Sequence, residues 1–312
     1  MIAEQSTLPL VAIVGPTASG KSALAVWLGG RLNGEVVACD STQLYCGFDI
    51  GTAKPSLTAR RGIPHHLIDV LKPEENAAAG GYRQMAVAVL DELRCRGRLP
   101  IFTVGTGLYL RALLEGLAEV PQRSEEIRER LRAAAAEHGP GHLHGVLERL
   151  DPQAAGKIAP NDEQKLIRAI EVCLLAKKPL SQVHKTGRTP LAGWRALKIG
   201  LTPQREALYE RIHERTEAML KEGWLEEVRK LISSGLPENA KPFDFIGYRE
   251  LRGVLRGEMN IEDARAAIQQ ATRRYAKRQL TWFRKEPGVH WLTGFGDDAN
   301  VQRDALAWLR EQ

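Results

Sequence analysis

Residues 15 to 22 read GPTASGKS. The segment fits G-x-x-x-x-G-K-[ST], and its surroundings fit as well. Leu10 to Val14 is a short run with β-branched residues that ends in glycine, and Lys21 to Leu32 has helical character. Strand, glycine-bearing loop and helix in that order make a phosphate loop. Its amides and the helix N-terminus offer donors and positive potential to an anion, Lys21 adds a point charge, and the Ser22 hydroxyl is placed to hold a magnesium ion. Gly15, Pro16, Thr17, Ala18, Ser19, Gly20, Lys21 and Ser22 are therefore the expected phosphate-binding residues. Which phosphate compound they hold stays open at this point.

Outward from the loop, Glu35 to Cys39 and Leu99 to Val104 are further short apolar runs, with helical sequence between them around Tyr82 to Arg96. This alternation predicts an α/β fold: a P-loop NTPase-like parallel sheet flanked by helices. From Pro121 to Trp194 the texture turns charged, alanine-rich and helical, as in RSEEIRERLRAAAAEHG, and no strand-like run interrupts it. The expectation is a core of residues 1–120 and 195–312 with an all-helical insertion at 121–194. Leu197 to Leu201 marks the return to the sheet, and the remainder to Lys285 reads as mostly helical.

The bulk composition agrees with a folded enzyme-sized chain. With 312 residues, 43% apolar and 26% charged, it buries a full core and is not disordered. The 44 Lys and Arg against 38 Asp and Glu leave a charge of +6, which suits a polyanionic partner without requiring one. Cys39, Cys46, Cys95 and Cys173 lie too far apart for a paired zinc site and read as reduced thiols of a cytosolic protein. The early apolar stretch Leu8 to Val14 is far short of the roughly 20 residues a membrane span needs, so no membrane role is expected.

VVACDSTQLY, residues 36 to 45, runs a strand into Asp40, at the sheet edge where parallel folds place ligands. An aspartate there can hold magnesium, accept a proton from a nucleophile, or simply cap the next helix. Gln43 carries the donor and acceptor pair that reads an adenine edge.

GPTASGKS, DSTQLYCGFDIGTAKP (40–55), HHLID (65–69), GTGLYLRALLEGL (105–117), NDEQKLIRAIEV (161–172), IGYREL (246–251) and RRYAKRQLTWFRK (273–285) together resemble the bacterial tRNA dimethylallyltransferase family, in its order and over nearly the whole chain. The resemblance implies that the loop holds dimethylallyl diphosphate rather than ATP, with Mg2+. It also implies that the acceptor is the adenosine 3′ of the anticodon in the tRNA anticodon stem-loop. Asp40 is then the base, with Thr106 and Arg215 as further catalytic residues. Asp40, Ser41, Thr42, Gln43, Arg128, Gln164, Lys165, Leu166, Ile167, Arg168, Gly247, Tyr248 and Arg249 match segments that touch tRNA. Two positions depart from the family: Val104 stands where a first glycine is usual, and Lys165 replaces an arginine, keeping charge but losing a bidentate fork. A monomeric, cytoplasmic enzyme is implied. No zinc finger of the kind common in eukaryotic members follows, so a bacterial enzyme is expected.

The C-terminal segment points to RNA without the family. At 100° per residue, Arg273, Lys277 and Arg284 form one stripe and Arg274, Arg278 and Lys285 an adjacent one, while Tyr275, Ala276, Leu280, Trp282 and Phe283 fill the other side. No acid lies between Arg265 and Lys285, so this face can neutralise several phosphates. Tyr248 could equally be core. His65 and His66 point to opposite faces of an extended chain, which excludes one shared metal site and leaves them structural or at the pocket mouth. Trp194, Trp224 and Trp291 are expected in the core. The rivals are a P-loop kinase or NTPase, which the strand LPIFTVGTG disfavours by ending without an acid; an adenylate isopentenyltransferase using free nucleotide, which needs no helical insertion; and a non-catalytic RNA-binding module, which leaves the phosphate loop unexplained.

Overall fold

The computed structural model describes residues 7–118, 120, 121, 123–139, 141–183 and 188–312. Six strands form one sheet in the order β3-β2-β4-β1-β5-β6: β1 Leu8–Val14, β2 Gly34–Cys39, β3 His65–His66, β4 Leu99–Val104, β5 Trp194–Leu201 and β6 Val289–Leu292. Every pairing is parallel. Because β2, β4 and β1 are neighbours, the segments that leave their carboxyl ends stand side by side on one edge. Those segments begin at Asp40, Gly105 and Gly15.

The central strands are buried on both faces, which is why they read as continuous apolar runs. Leu10, Ala12 and Val14 of β1 pack to one side with Phe102, Tyr82, Tyr109 and Trp224. Val11 and Ile13 pack to the other with Leu24, Leu28, Ile199 and Val301. The period-2 alternation of a strand thus feeds two helical layers. β5 starts three residues before the expected Leu197, and β3 and β6 are elements that the apolar pattern did not reveal: two and four residues long, with histidines in both.

The chain separates into two compact units, one running to Leu114 and resuming at Leu191, the other Glu115–Pro190. The second is built of helices around Leu143, Leu147, Leu166, Ile167 and Ile170. No helix among the described residues is long and apolar enough to cross a membrane.

One charge is buried inside the sheet. Glu35 of β2 takes two bonds from Arg96, at 2.6 and 2.9 Å, and faces His66 Nε2 at 2.7 Å, while His65 Nδ1 lies 2.8 Å from the Ile63 carbonyl. Both histidines are therefore structural, and neither lines the cavities described below. Burial alone would raise the Glu35 carboxyl, but the bonds from Arg96 and His66 outweigh it and hold the group below its ordinary 4.5. A depressed carboxylate stabilises the fold above the unfolded value, and that contribution disappears as pH falls through the folded one. Glu35→Gln should cost about 1.5–3 kcal/mol at pH 7, the worth of a hydrogen bond to a charged group. In denaturant titrations the gap between variant and wild type should narrow below pH 4.

Candidate active site

The phosphate loop surrounds a half-buried ammonium. Lys21 Nζ donates to the carbonyls of Gly15 at 3.0 Å and Pro16 at 2.8 Å. Burial pushes its pKa down to about 8, the negative charge of Asp40 opposes that shift, and Arg215 adds to it. Arg215 arrives from the helix Arg205–Glu222 and places Nη1 3.5 Å from Thr17 Oγ1. Burial lowers its pKa from the ordinary guanidinium value, again against the pull of Asp40. Two half-buried cations and one carboxylate therefore share one edge of the sheet.

They line a cavity of about 550 Å3 whose wall includes residues 17–23, Asp40, Gln43, Arg211 and Asp297. The first turn of the helix Lys21–Gly29 has N–H groups without intrahelical acceptors, as every helix start does, and this one opens on that cavity. An anion with several oxygens suits such a lining. Among the described residues no three His, Cys, Asp or Glu gather to hold a metal ion. The oxygen donor of Ser22 does fit magnesium, which characteristically takes few protein ligands and completes its shell with substrate phosphate and water.

Asp40 is oriented by its own turn. Its Oδ1 accepts from the Thr42 amide at 2.9 Å and from Thr42 Oγ1 at 2.8 Å. Oδ2 rests against Gly105, so closely that a methyl group there would come within 1.9 Å of it. Gly105 is thus required by approach rather than by φ. The preceding Val104 is a buried strand residue paired with Cys39, so the departure from the family pattern is absorbed into β4. The Cys39 carbonyl accepts the amides of both Gly105 and Thr106 at 3.0 Å. The Thr106 hydroxyl is engaged with Ser41, accepting from its amide at 3.0 Å and donating to its Oγ at 3.2 Å. Through these bonds Thr106 braces the turn that carries Asp40. Gln43 donates through Nε2 to the carbonyls of Thr52 and Ala53, at 3.2 and 3.3 Å, which leaves Oε1 outside those bonds.

A second cavity of about 320 Å3 meets the first at Thr17, Asp40 and Arg215. Its wall combines an apolar side of Ile212, Met219, Trp224, Phe245, Ile246 and Ile268 with polar residues that include Asp244, and Tyr275 and Arg278 join it from the helix Ile261–Phe283. Ser41 and Thr42 line it too. Arg274, Lys277, Arg278, Arg284 and Lys285 are exposed, as a basic face requires. Trp282 differs from expectation: it is 37% exposed, lies against Gly107, and has the Arg111 guanidinium 4.9 Å from its ring centre. Gly107 is what lets the indole lie so close, because a methyl group there would come within 2.1 Å of its nitrogen.

Several expected RNA contacts are committed to the fold. Arg128 and Arg168 both bond the fully buried carboxylate of Glu171, at 3.0 and 2.6 Å, inside the helical unit. Leu166 and Ile167 are core residues of that unit, so their side chains are not available to RNA; helical periodicity turns them inward while Gln164 and Lys165 stay exposed. Lys165 pairs with Asp162. Tyr248 is fully buried, donating to Glu227 at 2.5 Å and accepting the Gly51 amide at 3.1 Å. Its place is the core. Gly247 is forced by a positive φ of 92° and by the Trp224 ring beside it, and Arg249 is exposed with its guanidinium on Glu250. Trp224 is buried as expected, whereas Trp194 and Trp291 are only partly so.

Three residues near the site escaped the sequence. Arg211 and Asp297 form a two-bond pair on the wall of the larger cavity. Gln279 is buried at the junction of two loops. Only Gln279 left a trace: a polar residue four positions from both Tyr275 and Phe283, on the face that should be apolar.

Comparison with known proteins converges on one family. The IPP transferase family description matches residues 43–286. The tRNA dimethylallyltransferase of Koribacter versatilis is 51% identical over 301 residues, covering 96% of this chain and 98% of that protein. The tRNA dimethylallyltransferase of Solibacter usitatus is 48% identical, covering 96% and 97%. Among solved structures, the full-length tRNA isopentenylpyrophosphate transferase of Bacillus halodurans superposes with a TM-score of 0.70 at 37% identity, covering 97% of each chain. A eukaryotic dimethylallyltransferase acting on tRNA gives 0.80 at 25% identity, covering 98% of this chain and 78% of that one.

The lowered Lys21 sets a test of the cradle. Below about pH 8 the ammonium is charged, above it the proton is lost, and a bound polyanion pulls the proton back. Inorganic diphosphate titrated calorimetrically should bind with proton uptake at pH 8.5 to 9, seen as a dependence on buffer ionisation enthalpy. Lys21→Met should lose that component relative to wild type and weaken binding at pH 7 by about 2–5 kcal/mol, as for one partner of a buried charge pair.

Proposed function

Since the chain belongs to the IPP transferase family, we propose that it transfers a dimethylallyl group from dimethylallyl diphosphate to the N6 amino group of the adenosine immediately 3′ of the anticodon in tRNA, releasing diphosphate. The observation that carries the assignment of roles is the position of Asp40, at the junction of the cavity lined by the phosphate loop and one with an apolar side. The diphosphate lies in the larger cavity, on the amides of the phosphate loop with Lys21, Arg215 and Thr17. Ser22 would hold magnesium with the diphosphate oxygens, and the ion would supply further positive charge where the leaving group gains negative charge. The five-carbon group and the face of the extruded base meet in the smaller cavity.

In the reaction the adenine N6 nitrogen attacks the first carbon of the dimethylallyl group, a new C–N bond forms, and the C–O bond to diphosphate breaks. The nitrogen then sheds a proton. Asp40 Oδ2 takes it, while Thr42 holds Oδ1 and so fixes which oxygen is available. Lys21 and Arg215 stabilise the departing diphosphate more than the bound substrate, because charge accumulates on it only as the bond breaks. The Gln43 carbonyl oxygen remains to accept from the base. The exposed cations at the end of the helix Ile261–Phe283, with Gln164, Lys165 and Arg249 elsewhere, contact RNA phosphates in the cytoplasm; Arg128 and Arg168 support the helical unit through Glu171. Extrusion of the base costs about a few kcal/mol of unstacking, which contacts in the pocket offset.

The test pairs labelled dimethylallyl diphosphate and magnesium with an anticodon stem-loop RNA, beside an ATP hydrolysis assay. Label should pass to the RNA and ATP should not turn over. ATP turnover, or transfer to free AMP in place of RNA, would contradict the reading. Asp40→Asn should retain RNA and diphosphate binding while lowering single-turnover transfer about 10²–10⁴-fold, the usual contribution of a positioned base.

A further inference from the structure

Gln279 sits on the helix Ile261–Phe283, is 5% exposed, and lines neither cavity, yet it joins the phosphate loop to the Gly105 loop that adjoins Asp40. Its Oε1 accepts the Thr17 amide of the phosphate loop at 2.7 Å, and its Nε2 donates to the Gly105 carbonyl at 2.8 Å. The orientation of the amide is fixed by its partners. The Thr17 N–H can only donate and the Gly105 carbonyl can only accept, so a flipped side chain would set donor against donor and acceptor against acceptor. Tyr275, one turn earlier, donates to the same carbonyl at 3.2 Å.

The Gly105 peptide is therefore held on each side: its N–H by the Cys39 carbonyl, its oxygen by Gln279 and Tyr275, and its Cα against Asp40 Oδ2. Thr17, at the other end of the amide, carries the hydroxyl that meets Arg215. We infer that Gln279 is a positioning residue for the transfer reaction, one that sets the distance between the oxygen that takes the proton and the loop that holds the leaving diphosphate. The inference rests on the prenyl-transfer reading above and adds to it a residue that touches neither substrate.

A group that fixes spacing acts on the chemical step more than on binding, since a displacement of about 1 Å costs on the order of 10²-fold in rate. Gln279→Met keeps the volume and removes both bonds. It should lower single-turnover transfer about 10- to 100-fold, with the KM for dimethylallyl diphosphate and for stem-loop RNA within about threefold of wild type. Gln279→Glu gives a sharper readout. Its carboxylate can still accept from Thr17, but it must be protonated to donate to the Gly105 carbonyl, so the ratio of variant to wild-type rate should rise as pH falls from 8 to 6, whereas the ratio for Gln279→Met should stay flat. Tyr275→Phe, which deletes only the second donor, should fold and lower the rate severalfold; it keeps the test decisive if Gln279→Met is unstable. Wild-type rates in both Gln279→Met and Tyr275→Phe, or losses that follow KM alone with no pH dependence in Gln279→Glu, would overturn the inference. Failure of wild type to transfer label in the same assay would instead remove the reaction itself, and the positioning role with it.

Discussion

Two half-buried cations face one carboxylate at the edge of the sheet. Burial shifts Lys21 and Arg215 downward, and Asp40 is the acid that pulls the other way. Burying unpaired charge is costly, so the arrangement is best completed by a ligand that brings negative charge.

The site also separates labour by polarity. The larger cavity offers amides, ammonium and guanidinium; the smaller offers Ile212, Met219, Phe245 and Ile268. A prenyl diphosphate has that same division, with a charged head and an apolar end, and the bond that breaks lies between them. Placing the carboxylate at the boundary puts it near the atom that changes partners. Gly105 makes the boundary narrow, because any side chain there would occupy the space of Asp40 Oδ2.

How much was legible in the sequence depends on how local each signal is. The phosphate loop, β2 running into Asp40, and the basic face of the helix Ile261–Phe283 are written in contiguous residues, and they stand where the pattern puts them. β3 and β6 are too short and too polar to register as strands; they exist because β2 and β5 offer them free edges. The Glu171 cluster, the pairing of Arg211 with Asp297 and the reach of Gln279 to residues 17 and 105 join positions 43 to 262 apart, so no periodicity foretells them. Tyr248 and the pair Leu166 and Ile167 show the converse: a motif marks them, but burial gives their side chains to the core.

The strand order has a consequence for how the protein comes into being. β1 lies between β4 and β5, so the first strand synthesised is flanked by a partner nearly a hundred residues later and another nearly two hundred later. At the usual 5–20 residues per second of translation, β1 waits roughly 10–40 s for β5 to be made. The helical unit Glu115–Pro190 is completed within that interval, and its contacts are mostly between neighbouring helices. Local contacts form fast, whereas non-local parallel pairing is slow. The nascent chain thus carries a helical body while β1, whose partner β4 is already made, still has an open edge on its other side, and that edge is the one most in need of shielding until synthesis reaches Leu201.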